Sequence, residues 1–542
     1  MNQEAIWIEG HGGDLAARVL FEHAVKGLFT LSGAHIFPLY DGCRKTDIRL
    51  IDVRHEQTAV FAAEAWAKVT RETGVAALTA GPGVTNGVSA MTSAYLSGSP
   101  ILVFGGRAPD SRWGQGSLQE LDHVPIVKSI TKEARTSTST EGIARDVSEL
   151  FNAAGAAHRG PTFLDVPLDL FFSSGRTELP PRDLEALREP EPESIAEVLR
   201  LLAAAERPVI VAGSDVYWER AEYALRELVE EARIPVFMNG MGRGVVAADH
   251  ELAFSRARSL AFKEADLVVV AGTPLDFRLG FGSFKSAQVV HLCDTPERVS
   301  AHASPAASAA GDLGLCFRAL AAGLERSGNG EWVADLRRAE TAKRSEDEDL
   351  LRSTQAPIHP GRIYGELRQR LERDSIVVGD GGDYVSYAGR FVDSLEPGCF
   401  LEPGPYGCLG TGPGYVLGAK SACPDRQVFL MLGDGAAGFS LGDLDTLVRF
   451  EIPFVGIVGN NGCWGLEKHP MKQIFGYHVA AELQPNLRYD EIMKSLGGYG
   501  EQVTDPEEIG PAIDRALDSG APALVNVMTD PEDAYPRSTN LG

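Results

Sequence analysis

Between Val428 and Pro470 the chain reads VFLMLGDGAAGFSLGDLDTLVRFEIPFVGIVGNNGCWGLEKHP, and the spacing inside this stretch limits the fold more than any other feature. The apolar run Val428–Leu432 predicts a buried strand. Gly433, Asp434 and Gly435 then require a sharp turn that presents a carboxylate. Leu441, Leu444, Leu447 and Val448 place an apolar stripe on a helix, and a second apolar run, Phe454–Val458, ends at Asn460 and Asn461. Apolar runs alternating with amphipathic helices predict a parallel sheet faced by helices. Both turns of such a strand–helix–strand unit fall at the carboxyl edge, where parallel sheets bind ligands. Asp434 is therefore expected beside Asn461.

Two such groups side by side suit a hard cation. Mg²⁺ takes about six oxygens, commonly one or two carboxylates together with the phosphates of a ligand. Asp434, the amide oxygen of Asn461 and a backbone carbonyl near Cys463 supply half of that shell. A diphosphate and water complete it, with the phosphates near a helix N-terminus whose free N–H groups favour anions. A lone Gly-Asp-Gly is most often an ordinary tight turn. Its pairing with Asn-Asn across one helix, at two strand ends, is what points to a metal and diphosphate site.

The rest of the chain repeats this style. At 542 residues there is material for three to four domains. Strand–helix alternation runs from Leu15 to Val166, again from Ile195 to Leu324, and a third time from His359. The connector Phe171–Ser194 is rich in proline and charge, and a second connector, Ser327–Pro357, is charged and carries a helical run. The expected architecture is three α/β domains, each a doubly wound parallel sheet, over residues 1–172, 194–326 and 356–542.

Composition narrows the partners. Apolar residues at 44% and charged ones at 23% are globular values, and a net charge of -24 argues against nucleic acid or an anionic membrane as partner. No apolar run approaches the roughly 20 residues of a membrane span, and MNQEAIWIEG lacks the plan of a signal peptide. Seven cysteines, odd in number and without metal spacing, are expected as free thiols in a cytoplasm.

Gly433-Asp434-Gly435 through Asn460-Asn461 resembles the cofactor motif of thiamine-diphosphate-dependent enzymes. The resemblance implies that Asp434, Asn461 and the backbone oxygen of Cys463 hold Mg²⁺ on the diphosphate. Gly381, Gly382, Asp383 and Ala436 would line the same cofactor. It also implies that the three domains bind pyrimidine, serve as a middle unit and bind diphosphate.

Upstream, RHEQTAVFAAEAWAKVTRETGVAALTAGPGVTN (Arg54–Asn86) resembles the pyrimidine-binding segment of acetolactate-synthase-type enzymes. Glu56 would hydrogen-bond N1′ of the aminopyrimidine and share a proton with it, near Pro82 and Asn86. That sharing favours the imino form whose nitrogen removes the thiazolium C2 proton, after which the cofactor acts as an electron sink. Without this context Glu56 would read equally well as a first-turn glutamate favoured by the helix dipole. Leu409 would bend the cofactor, and the Gly407 carbonyl would accept from its 4′-amino group.

On the substrate side, LSGAHI resembles a loop of benzaldehyde lyase and 2-hydroxyacyl-CoA lyase and points to His35. SLQE points to Gln119, whose amide can donate to a developing alkoxide. Glu467 is a candidate acid–base, with a solvated ion pair to Lys468 as the alternative.

The substrate stays open between two members of the family. SLQELDHVPIVKSITKE and the RHEQ segment resemble acetolactate synthase, which decarboxylates a 2-oxo acid such as pyruvate and adds the product to a second 2-oxo acid. FSRARSLAF (Phe254–Phe262) replaces the glycine-rich FAD segment of authentic synthases and argues against FAD. It resembles oxalyl-CoA decarboxylase and 2-hydroxyacyl-CoA lyase instead, where Arg256 and Arg258 could meet phosphates of CoA or ADP. A surface helix with two arginines is the other reading. The ending Ser538–Gly542, without the segment that closes over a CoA ester in several acyl-CoA lyases, favours the synthase. Glu56, Gln119, Asp434 and Asn461 together argue against an inactive cofactor-binding scaffold. By resemblance the cofactor lies between two chains, with a homodimer as minimum and a homotetramer expected.

Overall fold

The structure, a computed structural model, describes residues 6–182, 187–324, 329–533 and 535; Ser538–Gly542 and parts of both connectors lie outside the described residues. Three six-stranded sheets follow one another along the chain, and every strand pair within them is parallel. In the first sheet the spatial order is Arg49–Asp52, Gly27–Thr30, Gly74–Leu78, Ile101–Arg107, Thr162–Pro167 and Glu133–Thr136. The middle sheet runs Ala253–Phe254, Val236–Met238, Pro208–Ala212, Leu267–Ala271, Gln288–Cys293 and Ala307–Ala310. In the third the order is Phe400–Leu401, Ile376–Asp380, Val428–Gly433, Phe454–Asn460, Pro522–Met528 and Tyr499–Val503. Central strands such as Gly74–Leu78 and Val428–Gly433 are buried along their whole length. Helices cover both faces, which is why these strands read as continuous apolar runs rather than alternating ones.

Each sheet reverses its winding at an interior pair of strands, and the two turns flanking that reversal form a crevice at the carboxyl edge. In the first and third sheets the last two strands also swap order, Thr162–Pro167 lying inside Glu133–Thr136 and Pro522–Met528 inside Tyr499–Val503. The interior reversal lies between Gly27–Thr30 and Gly74–Leu78 in the first sheet, Pro208–Ala212 and Leu267–Ala271 in the middle, and Ile376–Asp380 and Val428–Gly433 in the third.

The domains are bolted together by a few long-range contacts. The helix Glu56–Thr70 lies against the helix Gly412–Ala422 at backbone distance: a Cβ on Gly418 would fall 2.1 Å from the Ala62 carbonyl oxygen. Asp443 of the third domain accepts from the Arg54 N–H at 2.7 Å and the Thr58 hydroxyl at 2.6 Å. The Tyr217 hydroxyl of the middle domain donates to the Lys68 carbonyl at 2.5 Å.

Both connectors carry structure. Ser174–Glu178 pairs antiparallel with Trp7–His11, a two-stranded clip with no apolar signal of its own because every other residue faces solvent. Within Ser327–Pro357, a helix spans Gly330–Leu351 and buries Trp332, Leu336, Glu340 and Asp347. Glu340 accepts from the N–H groups of Ser255, Arg256 and Ala257 at 3.1, 2.7 and 2.9 Å. Asp347 pairs with Arg256 at 2.6 Å and with Arg390, and Arg344 makes a fork of 2.9 and 3.0 Å to Asp393. Glu340, Arg344 and Asp347 of this charged connector are thus paired groups tying the middle domain to the third; buried charges persist only when paired. Among the described residues no helix is long and apolar enough to cross a membrane. All seven cysteines are unpaired.

Candidate active site

At the reversal of the third sheet, three helices begin around one crevice: Gly382–Phe391, Asp434–Ser440 and Gly465–Phe475. Their free N–H groups make the crevice attractive to anions. Asp434 is 4% exposed at its wall. One carboxylate oxygen accepts from the Gly435 N–H at 3.1 Å, the other from the Gly462 N–H at 2.8 Å, and the Tyr489 hydroxyl donates to its carbonyl at 2.9 Å. Burial pushes its pKa up to about 6, against the pull of the Gly462 and Gly435 N–H groups. Asn461 and Cys463 line the same crevice, with the Asn461 amide oxygen accepting from the Cys463 N–H at 3.1 Å. Asp434 and Asn461 are thus brought together.

Glycine is obligatory in the turns that surround them. Gly381 has φ +78°, and a Cβ there would sit 2.4 Å from the Cβ of Ala436; a Cβ on Gly435 would fall 2.4 Å from the Trp464 ring. Gly382, Asp383 and Gly433 complete this wall. Leu409 reaches it as well, its Cδ2 being 3.4 Å from that same point on Gly381. The loop carrying Gly407 (φ +70°) and Leu409 is held from below by Asp380, whose buried carboxylate accepts from the N–H groups of Gly410 and Gly412 at 3.1 and 2.8 Å. Burial pushes Asp380 up to about 6. Sequence reasoning missed Asp380. The signal available was a carboxylate closing a wholly apolar strand.

A second group gathers at the first sheet. Glu56 is the first residue of its helix, 7% exposed, and accepts from the Asn86 side-chain amide at 3.0 Å. Asn86 ends the short helix that Pro82 begins. Across the winding reversal, His35 Nδ1 lies 3.2 Å from the Thr79 hydroxyl. Burial lowers the His35 pKa from its ordinary 6.5, opposed by a hydrogen bond to the Leu118 backbone. Gln119 follows with φ +58°, its Cβ 3.0 Å from where a Cβ on Gly81 would be.

The Gly81-Pro82-Gly83 turn is fixed by a pair that the sequence did not announce. His123 Nε2 accepts from the Gly81 N–H at 2.9 Å, so Nδ1 carries the ring proton and donates to Asp165 at 2.9 Å. Arg107 holds the other Asp165 oxygen at 3.0 Å.

All residues lining the Asp434 crevice belong to the third domain, and none of the Glu56 group is among them. Glu467 stands exposed on its rim, and Lys468 pairs with Glu532 at 3.2 Å and Glu482 at 3.6 Å rather than with Glu467. Arg256 is committed to Asp347, and Arg258 donates to the Arg278 carbonyl at 3.3 Å while its guanidinium lies 5.0 Å over Phe262. The arginines that line the middle-domain crevice are Arg278 and Arg298.

Comparisons with known proteins identify the family. Three family models match in order: the thiamine pyrophosphate enzyme N-terminal TPP binding domain over residues 10–126, its central domain over 195–320 and its C-terminal TPP binding domain over 380–527. An acetolactate synthase large subunit of Mycobacterium tuberculosis is 53% identical over 98% of both chains. A 2-hydroxyacyl-CoA lyase 2 of Caenorhabditis elegans is 34% identical over 96% of this chain and 90% of that protein. The Homo sapiens 2-hydroxyacyl-CoA lyase 2 is 33% identical over 90% and 84%. With three α/β sheets, two separate residue groups of the expected kind and this likeness along its whole length, the chain belongs to the thiamine pyrophosphate enzyme family.

Proposed function

We propose that the chain is an acetolactate-synthase-like carboligase, decarboxylating a 2-oxo acid such as pyruvate and joining the remaining acyl unit to a second carbonyl. The observation that carries the substrate class is the 53% identity over 98% of both chains to the mycobacterial acetolactate synthase, against 34% or less for the acyl-CoA lyases named above. The donor set carries the cofactor and metal. A buried carboxylate, an amide oxygen and three helix N-termini suit Mg²⁺ bridging a diphosphate. Thiamine diphosphate supplies a thiazolium carbon that adds to a carbonyl and takes up the electron pair of the broken bond.

The chain's own residues then divide the work. Asp434, the Asn461 amide and the Cys463 carbonyl would hold the metal. The turns at Gly381–Asp383 and Gly433–Ala436 approach the diphosphate closely because they carry no bulk. Glu56 holds a proton against the pyrimidine ring nitrogen, and Asn86 keeps that carboxylate oriented. Gly407 and Leu409 support the cofactor's bend from the loop that Asp380 anchors. Gln119 donates to the oxygen that becomes negative, His35 stays largely neutral beside it, and Glu467 moves a proton at the rim.

In this reading residues 1–172 serve the pyrimidine half and 356–542 the diphosphate half, from two chains of a homodimer or a homotetramer. That no first-domain residue lines the Asp434 crevice supports this, as does the exposure of Leu118 beside Gln119 and Phe439 beyond the Gly-Asp-Gly turn, 77% and 60%. Two features argue against FAD in residues 194–326. Asp215 sits in the first turn of the helix Ser214–Trp218, where a dinucleotide's pyrophosphate would lie, and the crevice there has about 40 Å³ of free volume. Unpaired cysteines and the net charge of -24 support a cytoplasmic enzyme without nucleic-acid or membrane partners.

Product analysis of the purified chain with pyruvate, thiamine diphosphate and Mg²⁺, with and without FAD, tests the proposal. Acetolactate formed at about 1 s⁻¹ or faster, unaffected by FAD and abolished by Glu56→Gln, is expected. No acetolactate, with cleavage of a 2-hydroxyacyl-CoA to an aldehyde or ketone in its place, would overturn it.

A further inference from the structure

Where the first and middle domains meet, three side chains converge from separate loops. His158 precedes the strand Thr162–Pro167, Asp215 opens the helix after Pro208–Ala212, and Asp294 follows Gln288–Cys293. His158 Nδ1 lies 2.9 Å from Asp294 Oδ2 and 3.5 Å from Asp215 Oδ1. Asp294 is 2% exposed and Asp215 7%. Among the described residues no lysine or arginine nitrogen comes within 4.0 Å of either carboxylate, and Asp294 Oδ1 has no hydrogen-bond partner. A buried carboxylate oxygen left without a donor is costly and calls for a water or an ion. Arg298 and Arg159 stand farther off and only bias the local field.

The contrast with the chain's other histidine–aspartate cluster is direct. His11, Asp14 and Asp41 form a similar group, but Lys45 reaches both carboxylates at 2.8 and 2.6 Å and cancels their charge. Among the described residues no lysine or arginine pairs with Asp215 or Asp294 in this way.

We propose that His158, Asp215 and Asp294 bind one divalent first-row transition ion, of the Zn²⁺ class, that staples the first domain to the middle one. Metal–ligand bonds of about 2.0–2.1 Å set neighbouring ligand atoms about 3.3 Å apart around a tetrahedral ion. The contacts of 2.9 and 3.5 Å bracket that spacing, and the three ligand atoms all lie within 4.8 Å of one another. One imidazole nitrogen with two carboxylates selects a borderline ion over Mg²⁺ or Ca²⁺. His158 and Asp215 open on the 40 Å³ crevice, room for about two or three waters, one of which completes the shell. The first domain reserves the space for the ring: a Cβ on Gly98 would come 3.2 Å from His158 Nε2.

The test uses the full-length chain in an Asp434→Asn background, without thiamine diphosphate, so that no ion is counted at the diphosphate crevice. After dialysis against metal-free buffer, Zn²⁺ is titrated against a chromophoric chelator. About one equivalent per chain is expected, with affinity lowered roughly 10- to 100-fold by Asp294→Asn and by His158→Ala. Equal binding by those variants, or no competition with the chelator, overturns the proposal. Should the variants fold poorly, the parent chain decides alone. A visible Co²⁺ absorption that saturates at about one equivalent and is displaced by Zn²⁺ supports the site. An unsaturable or absent band, or binding of Mg²⁺ in preference to Zn²⁺, refutes it.

Discussion

The middle and third domains place their crevices at the same point of the same kind of sheet, and fill them differently. In the third, Gly433-Asp434-Gly435 turns into a helix with one buried carboxylate, and its two oxygens are taken up by backbone N–H groups of the same crevice. In the middle, Gly213-Ser214-Asp215 makes the equivalent turn, but Asp215 meets a second carboxylate and a histidine from a neighbouring domain. The doubly wound sheet supplies an address. What is received there depends on whether the turn leaves its helix N-terminus open to an anion or covers it with negative charge.

The largest effect expected from this comparison is at Asp434. Asp434→Ala should weaken thiamine diphosphate binding in Mg²⁺ by about 100-fold or more, measured by titration calorimetry, because even outer-shell losses at metal sites approach that figure. A loss under threefold would put the two crevices on an equal footing and break the comparison.

A matched pair of glycine variants comes next. Gly435→Ala drives its Cβ to 2.4 Å from the Trp464 ring, and Gly213→Ala to 2.3 Å from Thr273 and 2.4 Å from the Gly272 carbonyl. Both should lower the Tm by roughly 3–10 °C. Only Gly435→Ala should also weaken the cofactor, by more than about tenfold. Equal cofactor loss in both would mean that the crevices are coupled.

Asp380→Asn places an amide NH₂ or a single oxygen where two N–H groups need acceptors. About a tenfold rise in the KM for thiamine diphosphate is expected, with kcat changed less, since a lost buried partner costs about 1–3 kcal/mol. A kcat effect alone would remove Asp380 from the support of Leu409.

The smallest effect contrasts a buried histidine that has no carboxylate contact with His158. His23 packs 4.4 Å from Phe151, and burial lowers its pKa to about 4, Arg182 adding to the shift and Glu22 opposing it. Its folded value lies below the unfolded 6.5, so the unfolded chain binds the extra proton between them. Stability is therefore full above about pH 6.5 and falls as pH drops towards 4. His23→Leu should make that acid-side fall in Tm shallower; an unchanged slope would assign the acid sensitivity elsewhere.

Much of the fold could be read in advance because its signals are local. Runs such as Leu267–Ala271 and Val236–Met238 are strands to the residue, and Asp434 and Asn461 share a crevice because the strand–helix–strand spacing demands it. What escaped were groups whose partners lie far along the chain. Arg256 looks like a phosphate ligand until Asp347 and Glu340 come round to meet it. His123, Asp165 and Asp380 have no periodicity to betray them, only a turn to hold. The strand Ser174–Glu178 exists because Trp7–His11 lies beside it, and a solvent-facing ribbon of that length carries no apolar code.

The helix Gly330–Leu351 has a practical corollary for anyone exchanging parts between related enzymes. Its buried face, the hydrogen bonds its Glu340 accepts from the N–H groups of Ser255–Ala257 and its ion pairs to Arg390 and Asp393 make it cargo shared by two domains. A graft of the middle unit cut after Leu324 would leave the Glu340 receptor on one chain and its guest on another. A cut at the exposed Thr354–Gln355 loop keeps Glu340 with the unit that needs it, so the transplant junction falls there, with only the Arg390 and Asp393 sockets to be matched in the host.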